Sequence, residues 1–578
     1  MMTREKWVVT TKKADFNKMA ERFHISPMLA RIIRNRDVIT EQEMDFYLNG
    51  TLEEMHAPRL MHGMEQGAEC LLSAIREGRH IRIIGDYDVD GVCASYILKR
   101  GMERLGGRIS VAIPHRVTDG YGLNIHLIEE AYQDGVDMIV TCDNGISAAT
   151  EISAAKEKGM SVIVTDHHEV PYEETDGERR ELLPPADVII DPKQQACTYP
   201  FKGICGALVA YKLVQMMWEL AGEDASVLLR ELLEFAAIAT VCDVMDLLDE
   251  NRVAVKYGLS YMADSANLGL RTLIDACGLL DAKITGYHLG FVIGPCLNAT
   301  GRLDTAMKAL ALFDTTDARE ACVLAAELKE MNESRKAMTE KGVADAIRQV
   351  EECGYEKDDV LVIYLKECHE SIAGIIAGRL KEKYYKPVFV LTDGENGIKG
   401  SGRSIEGYSM YEGLHEVEEL LDKYGGHKMA AGLSLSPANL AEFRRRINEQ
   451  SKLTEDDFVQ KIRIDIPMPL PYASMQFAEE LALLEPFGNG NHKPLFAQKN
   501  LKVHNCMVRG KNKNVAGFVL EDESGYRVNG IYFGEAETFA AQVKENGNRI
   551  NITYYPDINE FRGNRSLQIV VTHYNFMQ

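Results

Sequence analysis

Three aspartates within five positions, in the stretch IRIIGDYDVDG (residues 81–91), are the first residues of this chain whose spacing suggests chemistry. Asp86, Asp88 and Asp90 follow directly after an apolar run. Aspartate and glycine are common where a strand turns into a loop, so a structural turn is one interpretation. Neighbouring carboxylates also repel one another unless a cation lies between them. The second interpretation is therefore a cation site.

Polar groups of the same kind follow three further apolar runs. They are Cys142, Asp143 and Asn144 after 136–141, Asp166, His167 and His168 after 161–165, and Asp243 in the helical stretch EFAAIATVCDVMDL. Taken singly, each has a structural explanation, since aspartate often caps a helix. Together, carboxylates with an imidazole are a donor set that suits Mg²⁺ or Mn²⁺ better than zinc. Enzymes that catalyse in-line phosphoryl displacement use two such ions about 3.5–4 Å apart.

The elements that must position these groups indicate a parallel sheet. Apolar runs at 81–84, 136–141, 161–165 and 187–190 are separated by helical stretches such as LNIHLIEEAYQDG and SAATEISAAKEKG. Apolar strands that alternate with helices predict a parallel sheet covered on both faces. Ligands bind at the carboxyl ends of the strands in such sheets. We therefore expect the first three polar groups to meet along one sheet edge.

The rest of the chain shows further changes of pattern. Residues 1–80 have helical apolar spacing without strand alternation, and a mainly helical part ends near GPCLNATGRLDTA (294–306). Residues 314–352 contain no proline and predict a linking helix long enough to span a small domain. A second α/β unit begins at VLVIYLK (360–366). Short alternating runs after about residue 460 predict a small antiparallel barrel.

Composition places the chain among cytoplasmic globular proteins. Its 578 residues are enough for two to four domains, and its apolar content of 46% and charged content of 26% are ordinary. No apolar stretch approaches the roughly 18 residues of a membrane span, and MMTREKWVV lacks a signal-peptide core. The twelve scattered cysteines form no CxxC pair, which favours reduced thiols. The net charge of −22 argues against a surface that attracts polyanions everywhere, but it leaves room for a local basic groove.

The ordered series of motifs resembles a known family. DYDVDG, CDNG, DHH and CDVMDL are similar to the four motifs of the DHH phosphoesterase superfamily. The opening helices and then GPCLNATGRL, ESIAGIIAGRL, GSGRS, GGHKMAAG and LLEPFGNGN follow, in order, the layout of the bacterial RecJ family of single-strand-specific 5′→3′ DNA exonucleases. The bare DHH tripeptide is a weak indication, whereas the series covers nearly the whole chain.

The resemblance implies an α/β fold in three parts. A parallel-sheet DHH domain is joined by a long helix to a second α/β domain, and a C-terminal β-barrel of the OB fold follows. The implied boundaries are 1–312 for the N-terminal helices and the DHH catalytic domain, 313–353 for the linking helix, 354–457 for the DHH-associated domain and 458–578 for the OB domain.

The resemblance also implies roles for the matching residues. The metal ligands would be Asp88, Asp90, Asp143, His167 and Asp243, holding two divalent cations, Mn²⁺ or Mg²⁺, with Asp143 between them. The catalytic set would be His168, Asp143 and Asp86, and Asp166 would orient a neighbouring imidazole. His168 is expected beside the scissile phosphate. Ile84 stands where small DHH pyrophosphatases have a histidine ligand, so Asp86 is expected to complete the first metal site, either directly or through water.

A second set of matching residues is expected to bind the substrate. It contains Asn298, Arg302, Ser371, Arg379, Ser401, Arg403 and His427. Arginine forks bind phosphates in a bidentate manner, and glycine-rich stretches let backbone amides approach them.

Several alternatives stay open. Arg379 either binds the substrate or is a surface helix residue, and Asn332 and Arg335 either line the cleft or form a solvated face. The segment VRGKNKN (508–514) is either a contact to the strand backbone or a solvated turn. The aromatic residues Tyr526, Tyr532 and Phe533 either stack on bases or fill the core.

The implied activity is removal of 5′-mononucleotides from single-stranded DNA with a 5′ end, in DNA repair and recombination. The resemblance further implies a monomer that works with single-strand-binding protein and a helicase, with no membrane association. One alternative is hydrolysis of short oligonucleotides or cyclic dinucleotides, but smaller DHH proteins do this without a third domain. Another is a non-catalytic replication-fork scaffold, but here every expected ligand is present.

Overall fold

The computed structural model describes residues 4–116, 118–175, 178–394, 397–561 and 563–576. These divide into two units, one built mainly from residues 56–245 and 254–460, the other from residues 6–55, 246–253 and 461–578. The segment before residue 56 contains β1 (Arg4–Val9), α1 (Phe16–Phe23), α2 (Pro27–Asn35) and α3 (Glu41–Asn49). The prediction that residues 1–80 are helical throughout is wrong at β1.

The part of the chain that carries the DHH motifs alternates helices and strands. Its elements are α4 (Met64–Arg76), β2 (His80–Gly85), α5 (Val89–Glu103), β3 (Arg108–Ala112), α6 (Ile125–Gln133), β4 (Met138–Cys142), α7 (Ala149–Glu157), β5 (Ser161–Thr165), β6 (Tyr172–Thr175), β7 (Glu178–Glu181), β8 (Val188–Ile190), α8 (Gly206–Ala221), α9 (Ser226–Cys242), α10 (Asp249–Met262), α11 (Leu268–Ala276), α12 (Gly286–His288), a π-helical turn (Leu289–Ile293), α13 (Gly294–Leu303) and α14 (Met307–Asp314). The sequence predicted the strands of this sheet except β3.

The second half of the first unit begins with the linking helix. Its elements are α15 (Ala318–Cys353), β9 (Leu361–Tyr364), α16 (Glu370–Tyr384), β10 (Val388–Gly394), β11 (Gly397–Arg403), α17 (Met410–His415), β12 (Lys423–Gly426), β13 (Ala430–Leu435) and α18 (Leu440–Glu449). The remaining elements are β14 (Val459–Ile464), β15 (Ile466–Pro467), α19 (Met475–Glu480), β16 (Phe496–Arg509), β17 (Val515–Glu521), β18 (Arg527–Phe533), α20 (Ala536–Glu545), β19 (Arg549–Phe561) and β20 (Asn564–Asn575). Short 3₁₀ turns span Leu52–Glu54, Pro58–Leu60, Tyr355–Lys357, Glu418–Leu420, Pro437–Asn439, Leu470–Tyr472 and Leu481–Leu484.

The first sheet is parallel and has the strand order β3-β2-β4-β5-β8. Its strands other than the edge strand β3 are mostly buried, and α6 and α7 cover one face with a core that includes Ile128, Ile139 and Ile152. The second sheet has the order β12-β13-β11-β10-β9, with β9 and β10 parallel and the other pairs antiparallel. A helix of 36 residues, α15, joins the two domains.

The second unit contains a barrel of the order β15-β16-β17-β18-β20-β19, which the additional pairing of β16 with β19 closes. The helices α2 and α3 pack into the same hydrophobic core, where Leu29 and Ile33 join Phe496 and Leu501. The predicted fold class, a parallel-sheet DHH domain, a second α/β domain and a C-terminal OB barrel, is confirmed. Within the described ranges, no helix combines the length and the apolar character that a bilayer crossing requires.

Candidate metal centre and substrate cleft

Four aspartates occupy equivalent positions at the carboxyl edge of the parallel sheet. The last residues of four neighbouring strands are paired with one another across the sheet; they are Gly85, Cys142, Thr165 and Ile190. The residues that follow them are Asp86, Asp143, Asp166 and Asp191, and all four are buried. The sheet therefore gathers carboxylates that are far apart in the sequence, as its parallel topology requires.

Helix ends fix the other two aspartates of the first motif. Asp88 caps α5, because its side chain accepts hydrogen bonds from the backbone N–H groups of Asp90 and Gly91. The two carboxylate oxygens of Asp90 accept from the N–H groups of Gly206 and Ala207, 2.6 Å and 2.7 Å away, at the start of α8. A Cβ on Gly206 would lie 2.7 Å from Cβ of Asp143. Only glycine allows α8 to approach this closely.

The predicted metal ligands meet in three overlapping groups whose ligand atoms lie within 4.8 Å of one another. The groups are Asp86, Asp88 and Asp143, then Asp90, His167 and Asp243, then Asp143, His167 and His168. Nε2 of His167 lies 3.0 Å from Asp143 Oδ1, 3.5 Å from Asp90 Oδ2 and 3.7 Å from Asp243 Oδ2. The described structure thus brings together all five residues predicted to hold metal, with Asp143 shared between two of the groups.

The electrostatics of the cluster fit a pair of hard cations. Burial, and then repulsion from Asp90 and Asp88, raise the pKa of Asp143 well above its usual value and that of Asp243 to about 8. Burial lowers the pKa of His167, so its imidazole is neutral and able to act as a ligand. Divalent cations would remove the repulsion, and carboxylates with an imidazole are the donors that Mg²⁺ and Mn²⁺ accept. The donor set therefore fits the two predicted ions.

A hydrogen-bonded chain holds His168 beside this cluster. Its Nδ1 lies 2.7 Å from Asp166 Oδ1, and the Tyr121 hydroxyl lies 3.2 Å and 3.3 Å from its two ring nitrogens. Burial opposes the charged imidazole, but the hydrogen bond and the charge of Asp166 raise the pKa of His168 to about 9. Tyr121 also donates to the backbone carbonyl of Asp143 at 2.8 Å. His168 is therefore a positioned, protonated group next to the candidate centre.

A cavity of about 450 Å³ lies between the first motif and the second α/β domain. Tyr87 and Arg116 line it from the first domain, and Ser371, Lys399 and Ser401 line it from the second. Nη1 of Arg302 donates to the Ser371 carbonyl oxygen at 2.6 Å, which joins α13 to the start of α16.

Further arginines lie near Arg116, which lines this cavity. Arg116 lies over the Tyr87 ring, with its guanidinium carbon 4.6 Å from the ring centroid. Burial, and then the charges of Arg116 and Arg335, lower the pKa of Arg302. Burial and Arg116 do the same for Arg403. Among the described residues none of these four guanidinium groups forms an ion pair with a carboxylate, although Asp88 acts electrostatically on Arg302. The cluster is therefore able to bind a phosphate.

The predicted substrate-binding residues are not all in this cleft. Ser371 and Ser401 line the cavity. Arg403 lies close to the lining residue Ala373, because a Cβ on the neighbouring Gly374 would be 2.9 Å from Nη2 of Arg403. Arg379 is instead exposed on α16 and pairs with Glu382, as in its alternative interpretation. His427 is exposed in the β12–β13 turn and is absent from the described cavity lining.

The structure also shows the surroundings of other residues with a predicted role. Asn298 is half-buried on α13. Asn332 is buried and accepts hydrogen bonds from Arg335, so neither is an ordinary solvated residue. Tyr532 packs on Phe539 inside the barrel, with ring centroids 4.7 Å apart, whereas Phe533 is 57% exposed.

Sequence reasoning missed Arg116, Tyr121 and Asp191. Arg116 and Tyr121 lie in the loop HRVTDGYGLN, of which Val117 is outside the described residues, and no strand or helix pattern marks them. Gly120 and Gly122 flank Tyr121 with φ of 82° and 69°, and this pair of glycines was the available indication of a specialised loop. Asp191 follows the apolar run 187–190, so the rule that found Asp86 applied to it as well.

Comparison with known proteins gives the same result along the chain. Three family models match: the DHH family N-terminal domain at residues 80–240, the DHHA1 domain at 357–452 and the RecJ OB domain at 464–573. These matches do not test the predicted boundaries at 312, 353 and 457, which stay predictions.

Full-length relatives agree with the models. The single-stranded-DNA-specific exonuclease RecJ of Salmonella typhimurium is 34% identical over 95% of both chains, and that of Bacillus subtilis is 33% identical over 99% of this chain and 71% of its own. The crystal structure of Thermus thermophilus RecJ in complex with Mn²⁺ superimposes with a TM-score of 0.83, at 27% identity, over all of this chain and 80% of its own. The same protein has also been solved with Mg²⁺. The chain therefore belongs to the RecJ family of DHH exonucleases.

Proposed function

We propose that this protein is a single-stranded-DNA-specific 5′→3′ exonuclease that hydrolyses phosphodiester bonds with two divalent metal ions and releases 5′-mononucleotides. Membership of the family makes it a metal-dependent nuclease. The observation that carries the finer proposal is the pair of ligand groups, Asp86–Asp88–Asp143 and Asp90–His167–Asp243. Tyr87, between the first two of these aspartates, lines a cavity together with Arg116 and residues of the second α/β domain.

The residues divide the reaction between them. When bound, two divalent cations activate water and neutralise the charge that develops on the phosphate. His168, held by Asp166 and Tyr121, is placed to donate a proton or a hydrogen bond to a phosphate oxygen. Arg116, Arg302 and Arg403 supply charge for the phosphates of the strand. We assign the 5′ polarity to capture of the terminal phosphate by this cluster.

The barrel supports a single-stranded substrate. OB folds bind single strands through a cationic groove and exposed aromatic side chains. Phe533 is exposed on β18, and Tyr526, 36% exposed, precedes the same strand. We infer that the barrel holds the incoming strand, that the enzyme acts in DNA repair and recombination in a reducing cytoplasm, and that single-strand-binding protein and a helicase supply its substrate. The twelve cysteines are all free thiols, which supports that compartment.

A digest of matched oligonucleotides tests the proposal. A long single strand labelled at its 5′ end, the same strand labelled at its 3′ end, its duplex and a dinucleotide are each incubated with Mn²⁺ or with chelator. Immediate release of labelled mononucleotide from the 5′-labelled single strand alone, and only with metal, is expected. Early release from the 3′ label would overturn the polarity. Cleavage restricted to the dinucleotide would replace the exonuclease with a short-oligonucleotide hydrolase.

A further inference from the structure

Two cysteine side chains meet where three helices converge, outside the metal centre. Sγ of Cys277, which follows α11, lies 3.9 Å from Sγ of Cys296 on α13. Cys277 is partly buried, and Cys296 is buried with 2% exposure. One thiol is therefore accessible to a small oxidant while its neighbour is protected and within reach of it.

The surroundings of Cys277 favour its reactive form. A sulfur–sulfur hydrogen bond joins it to Cys296, and the charges of Lys329 and Lys336 on α15 also act on it. In spite of burial, these contacts lower the pKa of Cys277 to about 7. Partially exposed cysteines near lysines are the ones that react with oxidants, because the thiolate is the nucleophile.

The second thiol is connected to the arginines of the cleft. Nδ2 of Asn332 donates to Cys296 Sγ at 3.4 Å, and Oδ1 of Asn332 accepts from Nε and Nη2 of Arg335 at 3.1 Å and 2.9 Å. Arg335 in turn acts electrostatically on Arg302. Asn332 thus contacts both the buried thiol and Arg335.

We propose that Cys277 and Cys296 form a reversible intramolecular disulfide, and that this modification weakens binding of the single strand. The Cys277 thiolate attacks one oxygen of hydrogen peroxide and the O–O bond breaks. The attacked oxygen stays on sulfur as a sulfenic acid, and the other oxygen leaves as hydroxide, which takes up a proton to become water. The Cys296 thiol then attacks that sulfur, and a second water leaves. Two thiols are oxidised by two electrons in all, and one peroxide is reduced to two waters.

The bond changes the geometry that Asn332 depends on. The sulfur–sulfur distance must shorten from 3.9 Å to about 2.05 Å, which draws Cys296 Sγ towards α11. The Asn332 side chain then loses its contact, and Arg335 loses its fixed orientation beside the cleft. This consequence rests on the proposed exonuclease function, whereas formation of the bond does not.

Peptide mapping and strand binding test the two steps separately. The full-length protein, loaded with Mg²⁺, is treated with stoichiometric hydrogen peroxide, alkylated and digested. We expect one cross-linked peptide pair that joins residues 277 and 296 and has lost two hydrogen atoms. We also expect about 5-fold weaker binding of a single-stranded oligonucleotide, the scale of one lost hydrogen bond, restored by dithiothreitol.

Two variants sharpen the test. Cys277→Ser should keep basal activity and lose both the cross-link and the response to peroxide, whereas Cys322→Ser, at an exposed cysteine of α15, should respond like the unmodified protein. Both thiols remaining open to alkylation, a cross-link to other cysteines, or a cross-link without weaker binding would each overturn the proposal. A cross-link in a protein whose reduced form does not cleave DNA would contradict the proposed function and leave the modification site standing.

Discussion

At the scale of single residues, Asp143 occupies the most constrained position of the candidate centre. Its backbone has a φ of 60°, a left-handed conformation that aspartate tolerates better than most residues. Its carbonyl oxygen accepts a hydrogen bond from the Tyr121 hydroxyl. Its carboxylate belongs both to the group with Asp86 and Asp88 and to the group with His167 and His168. The left-handed backbone places this one carboxylate within reach of ligand atoms in both groups, so its loss should affect the binding of both predicted ions.

Replacing Asp143 by asparagine removes the shared charge with little change of shape. We expect single-strand cleavage with Mn²⁺ to fall by at least about 100-fold, because even partners outside the ligand set contribute 10–100-fold at metal sites. Titration calorimetry with Mn²⁺ should show weaker binding, while single-strand affinity stays close to its original value. Glu174→Gln, at an exposed position on β6, is the control. Retention of turnover by Asp143→Asn would remove this residue from the metal centre.

Replacing Tyr121 by phenylalanine keeps the ring and removes the hydroxyl that contacts Asp143 and His168. Loss of one such hydrogen bond corresponds to a fall in kcat of about 5–10-fold. Because no hydrogen bond joins this hydroxyl to an arginine in the described part of the chain, KM for the single strand should stay the same. Tyr132→Phe is the matched control, since that ring is exposed on α6 and lies under Lys158. An unchanged kcat would show that Tyr121 does not position His168.

The metal-centre residues are visible in the sequence, whereas their partners in the loop are not. Asp86, Asp143 and Asp166 each follow an apolar run, so a parallel sheet predicts that they meet. Tyr121 lies 47 residues from His168 in a loop without periodicity, and only the folded chain brings the two together. The glycine-flanked loop indicates a special backbone but cannot identify the atoms that it contacts.

At the scale of elements, α13 is held against the first motif by a glycine. A Cβ on Gly301 would lie 2.3 Å from the carbonyl oxygen of Tyr87, which is far inside contact distance. The same helix carries Arg302, whose guanidinium reaches Ser371. Close packing at Gly301 therefore sets the position of a cleft arginine.

Gly301→Ala should weaken single-strand binding and lower the melting temperature, although alanine is the better helix former. The expected gain of up to about 1 kcal/mol in helix propensity is outweighed because α13 must move away from the Tyr87 carbonyl. Gly378→Ala on α16 is the control, because nothing lies within 4 Å of its added Cβ, and it should stabilise the protein. Differential scanning calorimetry compares the two variants. A stabilised Gly301→Ala variant with normal affinity would contradict the close approach seen here.

A buried carboxyl on α9 gives stability a predictable pH dependence. Burial raises the pKa of Glu234 from 4.5 to about 7, and the hydrogen bond from Ser265 offsets this only in part. Between these two values the folded protein keeps the proton and the unfolded chain loses it, so stability falls as pH rises. Glu234→Gln should therefore raise the melting temperature at pH 8 by about 2 °C or more and change it little at pH 4.5. An equal shift at both pH values would mean that Glu234 ionises normally in the folded state.

Element patterns predicted the strands that are regular and missed those that are interrupted. The sheet strands β2, β4, β5 and β8 are continuous apolar runs, and such runs are recognisable in the sequence. The barrel strand β16 has register shifts between Gln498 and Leu501 and between His504 and Met507, and such bulges break the alternation by which a strand is recognised. The edge strand β3 has five half-buried or exposed residues, so it carries too weak an apolar pattern.

At the scale of the whole molecule, the second unit is assembled from distant parts of the chain. Its core joins Leu29 and Ile33 of α2 to Phe496 and Leu501 of the barrel. The buried guanidinium of Arg252 donates to the Tyr47 carbonyl oxygen at 2.8 Å and to those of Leu484 and Leu483 at 2.8 Å and 2.9 Å. Apolar periodicity shows that α2 has a buried face but not which surface covers it, so the sequence could not predict this association.

Deleting residues 461–578 alone should therefore damage the protein more than deleting residues 1–55 as well. The shorter deletion removes the barrel and leaves the apolar faces of α2 and α3 in water, and exposed patches of this kind cause aggregation. The variant 56–460 lacks both halves of that core and should be monodisperse, with cooperative thermal unfolding. Size-exclusion chromatography and binding of a hydrophobic dye compare the two, and both retain residues 246–253, so this segment is matched. If 1–460 were as monodisperse as 56–460 and bound no more dye, the N-terminal helices would not depend on the barrel for their core.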